Sequence, residues 1–246
     1  MIAWLKPNLP DWFPALELAL REPNGLLCVG GDLAPARLLA GYRHGVFPWF
    51  GLGEPILWWS PDPRCVFPLA AQHAPARLLR YARQQAIELR WNQDFSDVMQ
   101  ACAAPRTTDA GTWITPEMLR AYHRLHVLGY AYCLCALRAG KVIGGVYGVA
   151  LGGAFFAESM FSRASNGSKL ALYSLLGLLK HSGFSFMDAQ VASPHVLSLG
   201  AQQWPRAQFK RELDAASATP ISFQVPQSRQ AWDWIKLLDQ TPTHAA

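Results

Sequence analysis

Between residues 130 and 190 the spacing of apolar positions changes repeatedly, and each change marks an element. Residues 130–137, 141–151 and 154–160 alternate or run apolar, which predicts three antiparallel strands. The pair Gly152-Gly153 between the last two predicts a two-residue hairpin turn. The third strand carries an acid, Glu158, where apolar alternation wants none. A polar loop over 162–167 leads into an alanine- and leucine-rich helix over 168–181, with Ser168 as its N-cap. After Gly183 the period returns to two over 183–191. That period places Phe184, Phe186, Asp188 and Gln190 on one face, the last two about 7 Å apart. A strand that reads as buried yet ends in an acid and an amide is the first place to look for chemistry.

The segment before residue 64 is dense in proline, glycine and tryptophan and predicts a small N-terminal α/β domain. It holds a short strand, the pair Gly30-Gly31, and a helix over 34–41 with Pro35 in its first turn. Tyr42 and Trp49 flank a rigid Phe47-Pro48 turn and are candidates for a binding wall. Prolines 61 and 63 mark a domain boundary, leaving 64–240 as a larger domain and 241–246 as a frayed tail. In the larger domain 75–91 predicts one amphipathic helix. Leu78, Leu79, Ala82 and Ala86 share one face, and Arg77, Arg80 and Arg83 recur on another. Arginines at that spacing, with no acid between them, suit a solvated face or a phosphate backbone. Helices are expected over 94–103, 115–129 and 232–238, a strand over 221–225, and a loop over 195–206. His123 and His126 form an HxxH pair, but no further ligand accompanies them, so packing or surface histidines explain them better than a metal.

With 246 residues, 51% of them hydrophobic, the chain can bury a sizeable core. Its net charge of +5 permits a nucleic-acid partner without demonstrating one. Five cysteines, an odd number with no CxxC pair, argue against a disulfide framework or a zinc site. No signal peptide precedes the aromatic start and no apolar run reaches membrane-spanning length. The expected setting is soluble, reducing and cytoplasmic.

The segments PNGLLCVGGDL, YRHGVFPWF, WWSPDPR, GTWIT, GGVYGVALGGAFFAESMFS, NGSKLAL, MDAQ and HVLSLGA occur in this order. Together they resemble the bacterial leucyl/phenylalanyl-tRNA–protein transferase family over about residues 11–213. The resemblance implies an α+β protein: a small N-terminal domain, then a GCN5-related acyltransferase-like domain with a mainly antiparallel sheet. It implies transfer of leucine or phenylalanine, with methionine a further option, from aminoacyl-tRNA to the α-amine of proteins beginning with arginine or lysine. The product is marked for N-degron proteolysis. Neither metal nor coenzyme A is implied, and a monomer is expected.

The resemblance also implies roles for residues. Asp188 and Gln190 are the catalytic pair, the acid polarising the amide. An amide oxygen is too weak a base to hold a proton, so Gln190 is expected to orient the amine while Asp188 or a water takes the charge. Glu158 is assigned to the acceptor's positive terminus or its basic first side chain. Phe155 and Met160 are assigned to the apolar donor pocket. Tyr42, Trp49 and Trp113 match positions that wall the 3′-terminal adenosine and the aminoacyl group. Arg77, Arg80 and Arg83 match a basic helix that meets the acceptor stem, and the Asn166-Gly167-Ser168 turn is suited to a phosphate.

The chain departs from the family pattern at Tyr132-Cys133-Leu134-Cys135, where an acid is absent, and at Ala189, expected on the face opposite the catalytic pair. Two other functions fit parts of the sequence. A coenzyme A-dependent N-acetyltransferase needs glycines after Arg163 where Asn166 and Ser168 stand. A non-catalytic module for tRNA or basic N-termini needs none of Asp188, Gln190 and Glu158.

Overall fold

A computed structural model describes residues 2–6, 8–104 and 114–240. The N-terminal part contributes β1 (Ala3–Leu5), β2 (Leu26–Gly30), α1 (Pro35–His44), β3 (Phe47–Pro48) and β4 (Leu57–Trp59). These strands form a sheet in the order β1-β2-β4-β3, with only the β1–β2 pair parallel. Pro35 opens α1, and Gly45, left-handed at φ 98°, closes it.

The rest of the chain builds β5 (Arg64–Pro68), α2 (Ala76–Gln84), β6 (Glu88–Trp91), α3 (Phe95–Ala103), α4 (Pro116–Val127) and β7 (Ala131–Arg138). There follow β8 (Lys141–Leu151), β9 (Ala154–Ser162), α5 (Gly167–His181), β10 (Phe186–Gln190), α6 (Pro194–Ser198), β11 (Gln202–Trp204), α7 (Arg206–Ser217) and α8 (Ala231–Lys236). The second sheet runs β11-β5-β10-β9-β8-β7-β6, and β9–β10 is its one parallel pair. The architecture is α+β with a mainly antiparallel sheet, as expected.

Two apolar layers cover that sheet. On one side α5, apolar almost all round, packs with α2 and α8. On the other side α1, α3, α4 and α7 share one continuous core with the N-terminal strands. Close approach of α5 to β8 depends on glycine. A Cβ on Gly167 would stand 2.0 Å from the Ile143 carbonyl oxygen.

Several expected elements are corrected. The helix expected over 75–91 stops at Gln84; Ala86 turns left-handed at φ 46° and β6 then pairs with β7. Sheet-edge pairing thus overrides the helical pattern, with Ile87 and Leu89 as buried anchors. The strand expected over 221–225 finds no ladder partner among the described residues; Phe223 instead packs its ring, tilted, against Trp91, Tyr132 and Phe184. The loop expected over 195–206 contains α6, capped by the Ser193 hydroxyl, and β11. Helix α5 starts at Gly167 after a left-handed Asn166, so Ser168 is inside the helix rather than its cap. Phe184 precedes β10 and packs with the opposite layer from Phe186, because regular alternation begins only at Phe186.

Candidate active site

The parallel pairing of β9 and β10 ends at Asp188 opposite Phe156. Beyond that point both strands carry a bulge. Ala157 pairs with Gly148 and Ser159 with Tyr147, so Glu158 is the extra residue of β9. In β10 the register shifts between Asp188 and Gln190, and Gln190 takes a left-handed φ of 64°. Bulges re-aim side chains out of plain alternation, and here they turn Glu158 and Gln190 toward each other. The Gln190 Nε2 donates to Glu158 Oε1 at 3.0 Å.

Glu158 is buried, at 8% exposure, and is held by hydroxyls. Tyr42 on α1 donates to Oε1 at 2.7 Å and Tyr122 on α4 to Oε2 at 2.9 Å; the two hydroxyls also touch each other. Burial pushes the Glu158 carboxyl up to about 7, and the hydrogen bonds from Tyr42, Tyr122 and Gln190 offset part of that rise. The same burial, with Glu158 next to them, raises the phenols of Tyr42 and Tyr122 well above their usual range. A carboxylate surrounded by phenols that stay protonated is an acceptor poised near neutral pH.

Asp188 stands differently from expectation. It is fully buried, and Arg64 grips both its oxygens, Nε to Oδ1 at 2.9 Å and Nη2 to Oδ2 at 2.7 Å. Oδ1 also accepts the backbone N–H of Gln190 at 2.9 Å. The acid therefore meets the backbone of Gln190, not its amide, and has no face open to a proton from substrate. That corrects both the polarising role and the charge-taking role given to Asp188.

Beside Glu158 and Gln190 lies an apolar hollow of about 120 Å³, lined by Phe67, Val146, Ala157, Met160, Leu172, Met187, Ala189, Val196 and Leu199. That is somewhat smaller than the cavity of about 150 Å³ that takes a benzene ring, so an aromatic side chain fits only if the lining side chains give way slightly. Met160 lines it; Phe155 is buried on the same side of the sheet, next to Met187 across the β9–β10 pair, but is not part of the lining. Ala189 faces the hollow together with Gln190, because the bulge cancels the alternation that would separate them. A larger hollow of about 380 Å³ between α3 and α4 is walled by Arg120, His123 and Arg124 and shares no residue with the acid–amide centre.

Tyr42 is fully buried beneath Glu158, so it supports the acid instead of walling a nucleotide. Trp49 is 42% exposed and tilted against Trp59, which leaves a ring face available. Trp113 lies outside the described residues. Arg77, Arg80 and Arg83 stand on the open face of α2, over buried Leu78 and Ala82. Tyr81 ties that helix to the Ser165 carbonyl, beside the start of α5. There the Gly167 N–H bonds to Ala164 O and the Ser168 N–H to the Ser162 hydroxyl, so the Asn166–Ser168 turn has two fewer amides to offer a phosphate. His126 stacks on Phe95 and bonds the Ala131 carbonyl, while His123 is on the surface.

Sequence reading missed Tyr122 and Arg64, and most of the apolar lining. Arg64 ends the conspicuous Trp58–Arg64 motif, the one signal that pointed to it. Phe67, Val146, Leu172 and Met187 read as ordinary core positions, since periodicity does not separate a pocket wall from packed interior.

The hollow thus places apolar surface next to a carboxylate and an amide. Comparison with known sequences gives the family. The profile described as "Leucyl/phenylalanyl-tRNA protein transferase" matches residues 66–214, and that of its N-terminal domain matches 31–62. A leucyl/phenylalanyl-tRNA–protein transferase of Alkalilimnicola ehrlichii is 47% identical over 98% of this chain and 92% of its own length. Those of Aromatoleum aromaticum and Nitratidesulfovibrio vulgaris are 52% and 49% identical, over 85% and 94% of this chain and 87% and 100% of their own. The chain belongs to the leucyl/phenylalanyl-tRNA–protein transferase family.

Proposed function

We propose that this aminoacyltransferase moves leucine or phenylalanine, with methionine a further donor, from the 3′ end of an aminoacyl-tRNA to the α-amine of a protein beginning with arginine or lysine. The product is marked for N-degron proteolysis. The enzyme acts in the cytoplasm as a monomer, with residues 1–63 as a small N-terminal domain and 64–240 as the catalytic one. None of the helices among the described residues is long and apolar enough to cross a membrane.

The observation that carries this reading is the Glu158–Gln190 contact at the edge of the apolar hollow. The donor side chain fills the hollow beside Met160 and Met187, which leaves the ester carbonyl at the acid–amide centre. The acceptor amine binds there, oriented by the Gln190 amide. An α-ammonium has a pKa of about 8, close enough to Glu158 at about 7 for ready proton exchange. Glu158 takes a proton from the amine, the nitrogen lone pair attacks the ester carbon, and the carbon–oxygen bond to the ribose breaks. The attacking nitrogen's second proton passes to the ribose oxygen, which leaves as the hydroxyl, and Glu158 gives its proton to solvent. An aminoacyl ester is already activated, so holding ester and amine together supplies most of what is needed, roughly 7–11 kcal/mol of the barrier. Asp188 acts behind this centre and does not touch the substrates. Trp49 and Trp113 stack on the terminal adenosine, and Arg77, Arg80 and Arg83 neutralise acceptor-stem phosphates.

The test is a transfer assay with an arginine-initiated peptide and charged phenylalanyl-tRNA, read by mass. A gain of one phenylalanyl residue is expected. A peptide modified instead by acetyl-CoA, or left unmodified by either donor, overturns the reading.

A further inference from the structure

Arg64 is fully buried, and each nitrogen of its guanidinium has a bonded partner. Besides the two-point grip on Asp188, its Nη1 donates to the carbonyl of Gly45, the residue that ends α1, at 3.1 Å. The guanidinium lies 4.8 Å from the Phe47 ring centre and 4.5 Å from that of Phe209. Aromatic faces on a planar cation restrict its tilt as well as its position. Asp188, so fixed, accepts the Gln190 N–H, and Gln190 sits in the left-handed region that a non-glycine residue leaves unless it is held. From that conformation its amide reaches Glu158 across the gap between β9 and β10.

We infer that Arg64 is a positioning residue for acyl transfer: its fork sets the Asp188 carboxylate that locks Gln190 left-handed and so aims the Gln190 amide at Glu158 and the incoming amine. The inference rests on the proposed role of the Glu158–Gln190 centre. An ion pair kept for stability alone would not need this geometry, since buried pairs are often replaced by apolar side chains at no cost. A fork matched to both carboxylate oxygens fixes direction, which a point charge does not. The same α1 terminus that receives Arg64 also carries Tyr42, so one end of the N-terminal part supports both halves of the centre.

The experiment compares Arg64→Gln, Arg64→Lys, Asp188→Asn, Gln190→Ala and the double variant Arg64→Gln/Asp188→Asn at saturating phenylalanyl-tRNA and arginine-initiated peptide, with thermal unfolding of each. Misplacing a reacting group by an ångström costs about 100-fold. Arg64→Gln is expected to lower kcat by about that factor with KM for aminoacyl-tRNA unchanged, and Arg64→Lys to lower it roughly tenfold, as charge returns without the fork. In the Asp188→Asn background Arg64→Gln should add less than about twofold, because the two act as one unit. Wild-type kcat in Arg64→Lys, or effects that multiply in the double variant, overturn the inference. If Arg64→Gln does not fold, Arg64→Lys carries the comparison by itself. A harmless Gln190→Ala brings down the reading of the centre and Arg64's role with it. A damaging Gln190→Ala beside harmless Arg64 variants brings down Arg64 alone.

Discussion

The amide of Gln190 and the carboxylate of Glu158 meet at 3.0 Å across the point where β9 and β10 stop pairing. Each residue reaches the other only because its own strand bulges there. The contact ties an ionisable acceptor to an orienting donor at the edge of an apolar hollow, and most of what can be tested follows from it.

Glu158→Gln keeps the shape and removes the ionisable group. Removal of a general base costs about 100-fold or more. Steady-state kinetics should show kcat/KM for the acceptor peptide falling by that order, with KM for aminoacyl-tRNA little changed. The wild-type rate should fall away below about pH 7, where Glu158 takes up its proton, and the variant should lack that limb. A limb near pH 8, from the substrate's own amine, should remain in both. A defect confined to tRNA affinity would count against this role.

The same group leaves a mark on stability. Its folded value of about 7 lies above the ordinary carboxyl value of 4.5. A carboxyl raised on folding favours the native state fully below pH 4.5, and that contribution is lost as pH climbs to 7. The change is roughly 3 kcal/mol over this window. Urea unfolding at pH 5 and pH 8 should therefore show Glu158→Gln gaining on wild type by about that amount at the higher pH. Parallel stability curves for the two proteins would contradict the burial cause.

Ala189 lines the hollow beside Gln190, so a larger side chain there should take up donor space. Ala189→Leu is expected to lower kcat/KM for phenylalanyl-tRNA about 10–100-fold, and less for leucyl-tRNA. Competition between the two charged tRNAs gives the ratio directly. An unchanged ratio would move the donor side chain elsewhere.

Neutralising Arg77, Arg80 and Arg83 on the open face of α2 should weaken tRNA binding without altering transfer at saturation. Each phosphate left without its arginine lowers the slope of log affinity against log salt by about 1. Filter binding over a salt series measures this, and an unchanged slope would leave the arginines as a solvated face.

Much of the sheet was legible because local and long-range signals agree there. The turn at Gly152-Gly153 joins residues 151 and 154 as the glycine pair predicts, and α5 announces itself by apolar length. Legibility failed where tertiary pairing decided. Residues 88–91 carry a helical pattern yet complete a sheet edge, and residues 221–225 read as a strand yet pair with none of the described residues. At the site the residue types were visible and their directions were not. Alternation put Asp188 and Gln190 side by side; two bulges placed Gln190 with Glu158 and left Asp188 to Arg64. A bulge adds one residue without changing composition, so no period reveals it.

The most direct measurement is a structure of the protein with a non-hydrolysable phenylalanyl-adenosine amide. The phenyl ring should fill the hollow between Met160, Leu172 and Met187, with the acyl carbon about 3–4 Å from the Gln190 amide and the Glu158 carboxylate. A ring seated outside that hollow, with the acyl carbon out of reach of both, would contradict the account.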